Sequence, residues 1–164
     1  MHSLNLEALS QTDLSAIDRA GHWAASFVAE RAETWEFERR FAKEGFESAA
    51  QHQLTGLLVP EVDGGGAISE LGLARVLEEI AATDFAIAFS LVCHNNLAGS
   101  VARNATGELR SKVLPGLVTG ASLGAFLLTE PAVGSDAASI SVTAVRDGDE
   151  WTLNGEKSWV TNGT

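Results

Sequence analysis

The stretch LGAFLLTEPAVGSD, residues 123–136, marks the place where the sequence changes its pattern. Its first half is a short apolar run bounded by glycine and proline, which is typical of a buried strand. Gly134 would allow the backbone to approach a ligand closely. Thr129, Ser135 and Asp136 place hydrogen-bonding groups beside free backbone amides. Such a loop can bind a polar ring edge and a phosphate, or it can be a connecting loop held by local side-chain bonds.

The residues that follow are patterned as hairpins. SISVTAVRD, residues 139–147, alternates in the manner of a strand, and Asp147-Gly148-Asp149 is a strong hairpin-turn signal. Strand-forming residues continue to Asn154-Gly155, a second hairpin signal, and again at Trp159-Val160. The sequence therefore predicts that residues 121–164 begin an antiparallel β domain.

A second polar run, NGEKSWVTNG, spans residues 154–163. Trp159 followed by the Thr161 hydroxyl could flank a flavin, because an indole packs against a ring and a hydroxyl bonds to its edge. The alternative is an Asn-Gly hairpin in which Trp159 covers the core. Lys157 could attract an anionic ligand or be a charge on the strand surface.

Residues 1–120 carry helical patterning. LLVPEVDGGG, residues 57–66, interrupts it, because Pro60 and three glycines are unfavourable inside a helix. Phe37, Phe41 and Ala49 or Ala50 are expected to share the inner face of the second helix. Capping residues and apolar spacing predict five helices: one starting after Thr12 or Asp13, then about 36–53, about 69–82, an apolar helix from about 85 to 105, and about 108–118.

Together these patterns predict an α+β fold class. An all-α helical domain covers residues 1–120, and the start of an antiparallel β-barrel-like domain covers residues 121–164. Such a short run of strands is a poor independent unit. We therefore expect the 164-residue chain to be a fragment of a longer protein.

Composition excludes several classes of partner. Asp and Glu number 22 against 11 Lys and Arg, so the net charge of −11 argues against nucleic acid. Cys93 is the only cysteine, which excludes an internal disulfide and a cysteine metal cluster. His94 has no second ligand at metal spacing and is expected to be a packing or hydrogen-bonding residue. With no signal segment and no long apolar stretch, the expectation is a cytoplasmic protein without a membrane span.

The pair TEPxxGSD and NGxKxWVTN, in this order and separated by a β-patterned segment, resembles the acyl-CoA dehydrogenase family of flavoproteins. LLVPEVDGGG, RVLEEIAATD and LRSKVLPGLVTG resemble further segments of that family. The resemblance covers residues 55–164 well and the first 50 residues loosely. Ala132-Val133 departs from the usual Gly-Ala, and an alanine at 132 would be strained if its φ were positive.

The resemblance implies an FAD site. Leu128 and Thr129 would lie at the isoalloxazine ring, with the Thr161 hydroxyl near the flavin N5. Ser135 would lie near the pyrophosphate and would also contact the substrate. Phe126 stands where many members have tyrosine. The implied cofactor-binding residues are Phe126, Leu128, Thr129, Gly134, Ser135, Trp159, Val160 and Thr161.

The same resemblance implies an oxidoreductase of fatty acid metabolism that acts on the CH–CH bond of an acyl thioester. The acyl group would be carried by coenzyme A or a carrier protein. A glutamate base would remove the α-proton while a hydride passes to flavin N5, and an electron-transfer flavoprotein would then accept the electrons. The complete protein would be a homo-oligomer.

This chain contains no catalytic residue by that comparison, since the base is expected downstream of Thr164. The 164 residues by themselves are therefore expected to be inactive. The alternatives are a flavin monooxygenase or oxidase of the same fold, and an inactive truncated fragment.

Overall fold

The computed structural model describes residues 9–163. The chain divides into two compact units, Met1–Gly124 and Ala125–Thr164. The first unit contains the helices and the second a two-stranded antiparallel sheet. The elements are α1 Gln11–Trp23, α2 Ala32–Glu38, α3 Lys43–Gln51, α4 Glu70–Ala81, α5 Phe85–Asn104, α6 Gly107–Val118, β1 Thr143–Asp147 and β2 Glu150–Asn154. This is the α+β class that the sequence predicts.

Helix α1 begins slightly earlier than the sequence pattern suggests. Ser10 is the N-cap: its hydroxyl accepts a bond from Asp13 N at 3.0 Å, and the Asp13 carboxylate accepts one from Ser10 N at 2.8 Å. The predicted caps, Thr12 and Asp13, were wrong because Asp13 occupies the third helical position, where its carboxylate completes a capping box. The helix continues through a π-helical segment, Ala24–Val28.

The predicted helix over residues 36–53 is two helices, α2 and α3. Arg39 has φ 50° and ends α2, so the helical spacing cannot carry across the break. Phe37 is consequently 87% exposed and Phe41 is exposed as well. Their expected place on the inner face was wrong, because Trp35 and Phe46 are the residues that enter the core.

Asp13 also joins α1 to α4. Its second oxygen accepts bonds from Ser69 N at 2.8 Å and Ser69 Oγ at 3.1 Å, while Ser69 Oγ caps α4 by accepting from Gly72 N at 2.9 Å. Burial by itself raises the pKa of Asp13, but the bonds donated by Ser10 and Ser69 outweigh it and lower the pKa. A charged, fully bonded carboxylate therefore fixes the start of two helices.

Helix α5 is the centre of the first unit. It packs against α4, α6 and α3. Its length and hydropathy would also suit a membrane span, although the sequence pattern predicted none in this chain. Half of that span is buried within the unit, and it carries three buried polar residues, Ser90, His94 and Asn95. Burial of this kind is characteristic of a core helix in a helical domain.

His94 and Asn95 tie α5 to the chain around it. Asn95 accepts a bond from Leu57 N at 2.9 Å and donates to Leu54 O at 2.9 Å. The His94 Nε2 lies 2.9 Å from Thr55 O and 3.0 Å from Leu117 O, whereas Nδ1 accepts from Gly124 N at 2.9 Å. This pattern requires the neutral tautomer that carries its proton on Nε2. The prediction of a packing, hydrogen-bonding histidine is confirmed.

The second unit holds one hairpin. β1 and β2 pair antiparallel with Asp147 opposite Glu150, so a two-residue turn connects them, and Gly148 has φ 61°. The Asp-Gly hairpin signal is therefore confirmed.

Three other strand predictions were wrong in the part of the chain that the structure describes. Residues 123–129 and Trp159-Val160 form no strand, and β2 ends at Asn154 with no strand after Gly155. An apolar run becomes a strand only when a neighbouring strand satisfies its backbone.

Candidate functional site

Glu130 is the buried centre of the second unit. It follows Thr129 in the TEPAVGSD motif, and its carboxylate accepts bonds from Ser141 Oγ at 2.6 Å, Ser141 N at 2.8 Å and Val142 N at 3.0 Å. The Ser141 hydroxyl, the two backbone amides and the Lys157 ammonium together lower the pKa of Glu130 to about 2. The carboxylate is therefore charged and holds the start of the motif against residues 141–142, which directly precede β1.

Lys157 reaches Glu130 from the second motif. Its Nζ donates to Glu130 Oε1 and to Leu128 O, at 2.9 Å in each case. The side chains of Lys157 and Glu130 are only 16% and 2% exposed. Lys157 is therefore an internal cross-link rather than either role the sequence suggested for it, an attractor of anions or a strand-surface charge.

The backbones of the two motifs also meet. Ser158 N donates to Thr129 O at 2.8 Å, so the chain before Trp159 lies directly beside the end of the LGAFLLT run. Two segments that are about thirty residues apart in the sequence are brought together by a backbone bond and an ion pair. Thr129 and Ser158 are therefore adjacent in the fold.

The other residues predicted in the first motif are accessible. Phe126 and Leu128 are exposed apolar side chains, and Thr129 is half-buried. Gly134 and Ser135 are exposed in the loop, and a Cβ added at Gly134 would meet no atom within 4 Å. Ala132 is not among the described residues with positive φ, so the departure from Gly-Ala in this loop introduces no such strain.

Trp159 has the most unusual conformation in the second motif. Its φ is 56° and its side chain is 91% exposed, which contradicts the alternative that it covers the core. A bulky residue in the left-handed region is strained, and strain of this kind concentrates at ligand sites. Val160 and Thr161 follow half-buried, in a turn closed by a bond from Gly163 N to Val160 O at 3.2 Å.

Sequence reasoning missed Glu130 and Lys157. Two signals were available in the sequence: the acid Glu130 directly follows a predicted buried strand, and the single cation Lys157 lies between turn residues. Ser141 and Val142, which complete the shell of the carboxylate, carried no signal because the pattern assigned them to a strand.

These residues offer exposed apolar side chains, an exposed indole and the hydroxyls of Thr129, Ser135 and Thr161. The set suits a large, flat, partly polar ligand, which describes a flavin. The described residues contain no group of three or more His, Cys, Asp or Glu side chains that could hold a metal ion.

Comparison with known proteins gives two family matches. Residues 10–121 match the model of the acyl-CoA dehydrogenase N-terminal domain, and residues 125–164 match the model of the acyl-CoA dehydrogenase middle domain. One curated relative, a mitochondrial isobutyryl-CoA dehydrogenase of Dictyostelium discoideum, is 36% identical over 132 residues, which is 80% of this chain. The chain covers 32% of that relative's length.

Solved structures agree. Butyryl-CoA dehydrogenase from Megasphaera elsdenii superposes with a TM-score of 0.83 and 29% identity over 94% of this chain, which covers 42% of that structure. The FAD complex of PigA superposes with a TM-score of 0.84 and 28% identity over 94% of this chain and 41% of its own. The chain thus spans well under half the length of these proteins.

Proposed function

Because this chain belongs to the acyl-CoA dehydrogenase family, we propose that it supplies the flavin-contacting part of an enzyme that dehydrogenates an acyl thioester. The reaction class follows from the relatives, which are named as dehydrogenases of branched and straight-chain acyl-CoA. The substrate would be an acyl group on coenzyme A or on a carrier protein.

The observation that carries the proposal is the contact between the two motifs. Ser158 N bonds to Thr129 O at 2.8 Å, so the segment that carries Trp159 and Thr161 starts directly beside the segment that carries Leu128 and Thr129. A ligand wide enough to touch both segments would be held by apolar side chains, a ring and hydroxyls. A flavin, of the kind that the PigA complex contains, fits that description.

The residues of this chain would bind and orient the cofactor. Phe126, Leu128 and Trp159 offer apolar contact, while Thr129 and Thr161 offer hydroxyls to the polar edge of the ring. Ser135 and the backbone beside Gly134 offer donors to a phosphate or to the substrate. FAD, when bound, supplies the two-electron acceptor that dehydrogenation requires. Fixing the acceptor against the substrate is the contribution of these segments to the rate.

Thr161→Val tests the site at its most specific residue. The substitution keeps the shape and removes one hydroxyl, so flavin affinity should fall about three- to tenfold, the worth of one neutral hydrogen bond. Fluorescence titration with FAD measures it in the protein that carries this chain. Thr152→Val on the exposed strand β2 is the matched control and should leave the affinity unchanged.

Unchanged flavin content and unchanged reduction kinetics in Thr161→Val would show that Thr161 is not part of the flavin site. Bleaching of the flavin absorbance by an acyl-CoA supports the dehydrogenase assignment. Rapid reaction of the reduced flavin with oxygen would instead favour an oxidase or monooxygenase on the same fold.

A further inference from the structure

The ion pair of Glu130 and Lys157 joins the two segments to which the proposed function assigns one cofactor. The residues are 27 positions apart, and their side chains are 2% and 16% exposed. Surface ion pairs contribute little because water competes with them. A buried pair persists only where further bonds offset the loss of water, and Ser141 and Val142 supply those bonds to Glu130.

Lys157 also orients a peptide group of the first segment. Its Nζ holds Leu128 O at 2.9 Å, and the described peptide bonds contain no cis bond. In a trans peptide the carbonyl and the following N–H point in opposite directions. The Thr129 N–H is therefore directed away from Lys157, and no acceptor in residues 9–163 receives it. Lys157 thus bonds this peptide group on the side opposite to the Thr129 N–H.

We propose that Glu130 and Lys157 are positioning residues whose ion pair holds the Thr129 segment and the Ser158–Thr161 segment in register, so that both bind one flavin. The inference rests on the proposed function and goes beyond it by assigning two residues that need not touch the cofactor. Lys157 acts on the peptide group of Leu128, and Glu130 anchors Lys157 to the buried interior of the unit.

Three variants test the pair. Lys157→Met removes the charge and both bonds but keeps the length of the side chain. Lys157→Arg keeps the charge and should rescue the function. Arg146→Met is the matched control, because Arg146 is a cation of the same unit whose side chain is 65% exposed and lies 3.9 Å from Asp149.

Hydrogen exchange of the Ser158 amide, measured by NMR, reports the register without any cofactor. Exchange should be about tenfold faster in Lys157→Met, since the variant loses both charge-assisted bonds of the ammonium. It should stay near the wild-type rate in Lys157→Arg and Arg146→Met. The amides of the β1–β2 ladder should be unchanged in all three. Equal acceleration of the ladder amides, or no acceleration at Ser158, would overturn the inference.

Titration of wild type and the three variants with FAD gives a second measurement. Lys157→Met should bind about tenfold more weakly than wild type, because it loses the same two bonds, and Lys157→Arg within about threefold of it. Full affinity in Lys157→Met would contradict the positioning role. A wild-type protein that binds no FAD would contradict the proposed function and the cofactor part of this inference together, whereas the Ser158 exchange rates would still decide whether the pair sets the register.

Discussion

His94 and Glu130 are both buried and ionisable, and their hydrogen-bond partners decide that one is neutral and the other charged. His94 donates from Nε2 to carbonyl oxygens and accepts at Nδ1 from Gly124 N. Protonation of Nδ1 would place its N–H against the N–H of Gly124, so that two donors would face each other in a buried site. Glu130 faces only donors, so its carboxylate is stabilised as the anion. Each side chain holds the surrounding backbone in place by hydrogen bonds and does not take part in a reaction.

His94 makes the stability of the helical unit depend on pH. Burial lowers the pKa of His94 from 6.5. Its contribution is therefore complete above pH 6.5 and is lost as the pH falls from there toward the lowered folded pKa, because the unfolded chain binds the additional proton. The free energy of unfolding should decrease on acidification, with a slope of up to ~1.4 kcal/mol per pH unit.

Urea unfolding followed by circular dichroism, at about pH 7.5 and about pH 5.5, measures this slope in wild type and in His94→Gln. The variant should be less stable at both values and should lose the slope. Glu44 and Glu130 do not interfere in this window: their pKa values are lowered from 4.5 to about 2, so their contributions are lost only below pH 4.5. An equal slope in both proteins would assign the effect to other groups.

At the scale of elements, helix α1 and helix α4 share one carboxylate. Asp13 serves the first turn of α1 and also accepts from Ser69, the N-cap of α4. The two helices can approach there because the residue facing Asp13 is Gly72, at which an added Cβ would overlap the carboxylate. The absence of one side chain thus sets the spacing of two helices.

Gly72→Ala should destabilise the unit by about 1–3 kcal/mol, the usual cost of overpacking, and should displace Asp13 from its bonds. Gly107→Ala is the matched control: Gly107 is the first residue of α6, and a Cβ there would meet nothing within 4 Å. That substitution should be neutral or stabilise the unit by up to ~1 kcal/mol, since alanine favours the helix. Equal denaturation midpoints for the two variants would show that Gly72 does not set the spacing of α1 and α4.

At the scale of the whole molecule, the apolar core belongs to the helical unit alone. The buried apolar side chains of the described residues run from Ala16 to Leu117, while the buried side chain of the second unit is the polar Glu130. Both strands are exposed along their full length. An isolated two-stranded hairpin is marginal in water, so the two units should differ in independent stability.

Residues 1–124 should fold by themselves. They contain both apolar clusters and Gly124, which donates to His94. The melting temperature of this fragment should lie within about 5 °C of that of the 164-residue chain, a difference of roughly 1 kcal/mol or less. Residues 1–112, which lack Leu114 and Leu117, are the control and should melt much lower. A fragment 1–124 without a cooperative transition would show that the second unit is required for folding.

The helical elements were predictable where local signals were strong. Ser69 and Asp84 cap α4 and α5 as their positions suggest, and Pro60 with Gly64–Gly66 breaks the chain between helices. The break at Arg39 carried no signal, because a left-handed arginine is tolerated only when the packing on both sides demands it. Strands were the least predictable elements, since a strand depends on a neighbour that the local sequence does not describe.

The family, the α+β class and the two motifs could be predicted from residue patterns, because each depends on short runs of residues in a fixed order. The fold was needed to show that Glu130 and Lys157 form a buried pair, that Ser158 bonds to Thr129 and that Trp159 is exposed in a strained conformation. These facts depend on distances between residues far apart in the chain. A pattern of residue types fixes which groups are present, but folding alone fixes which of them meet.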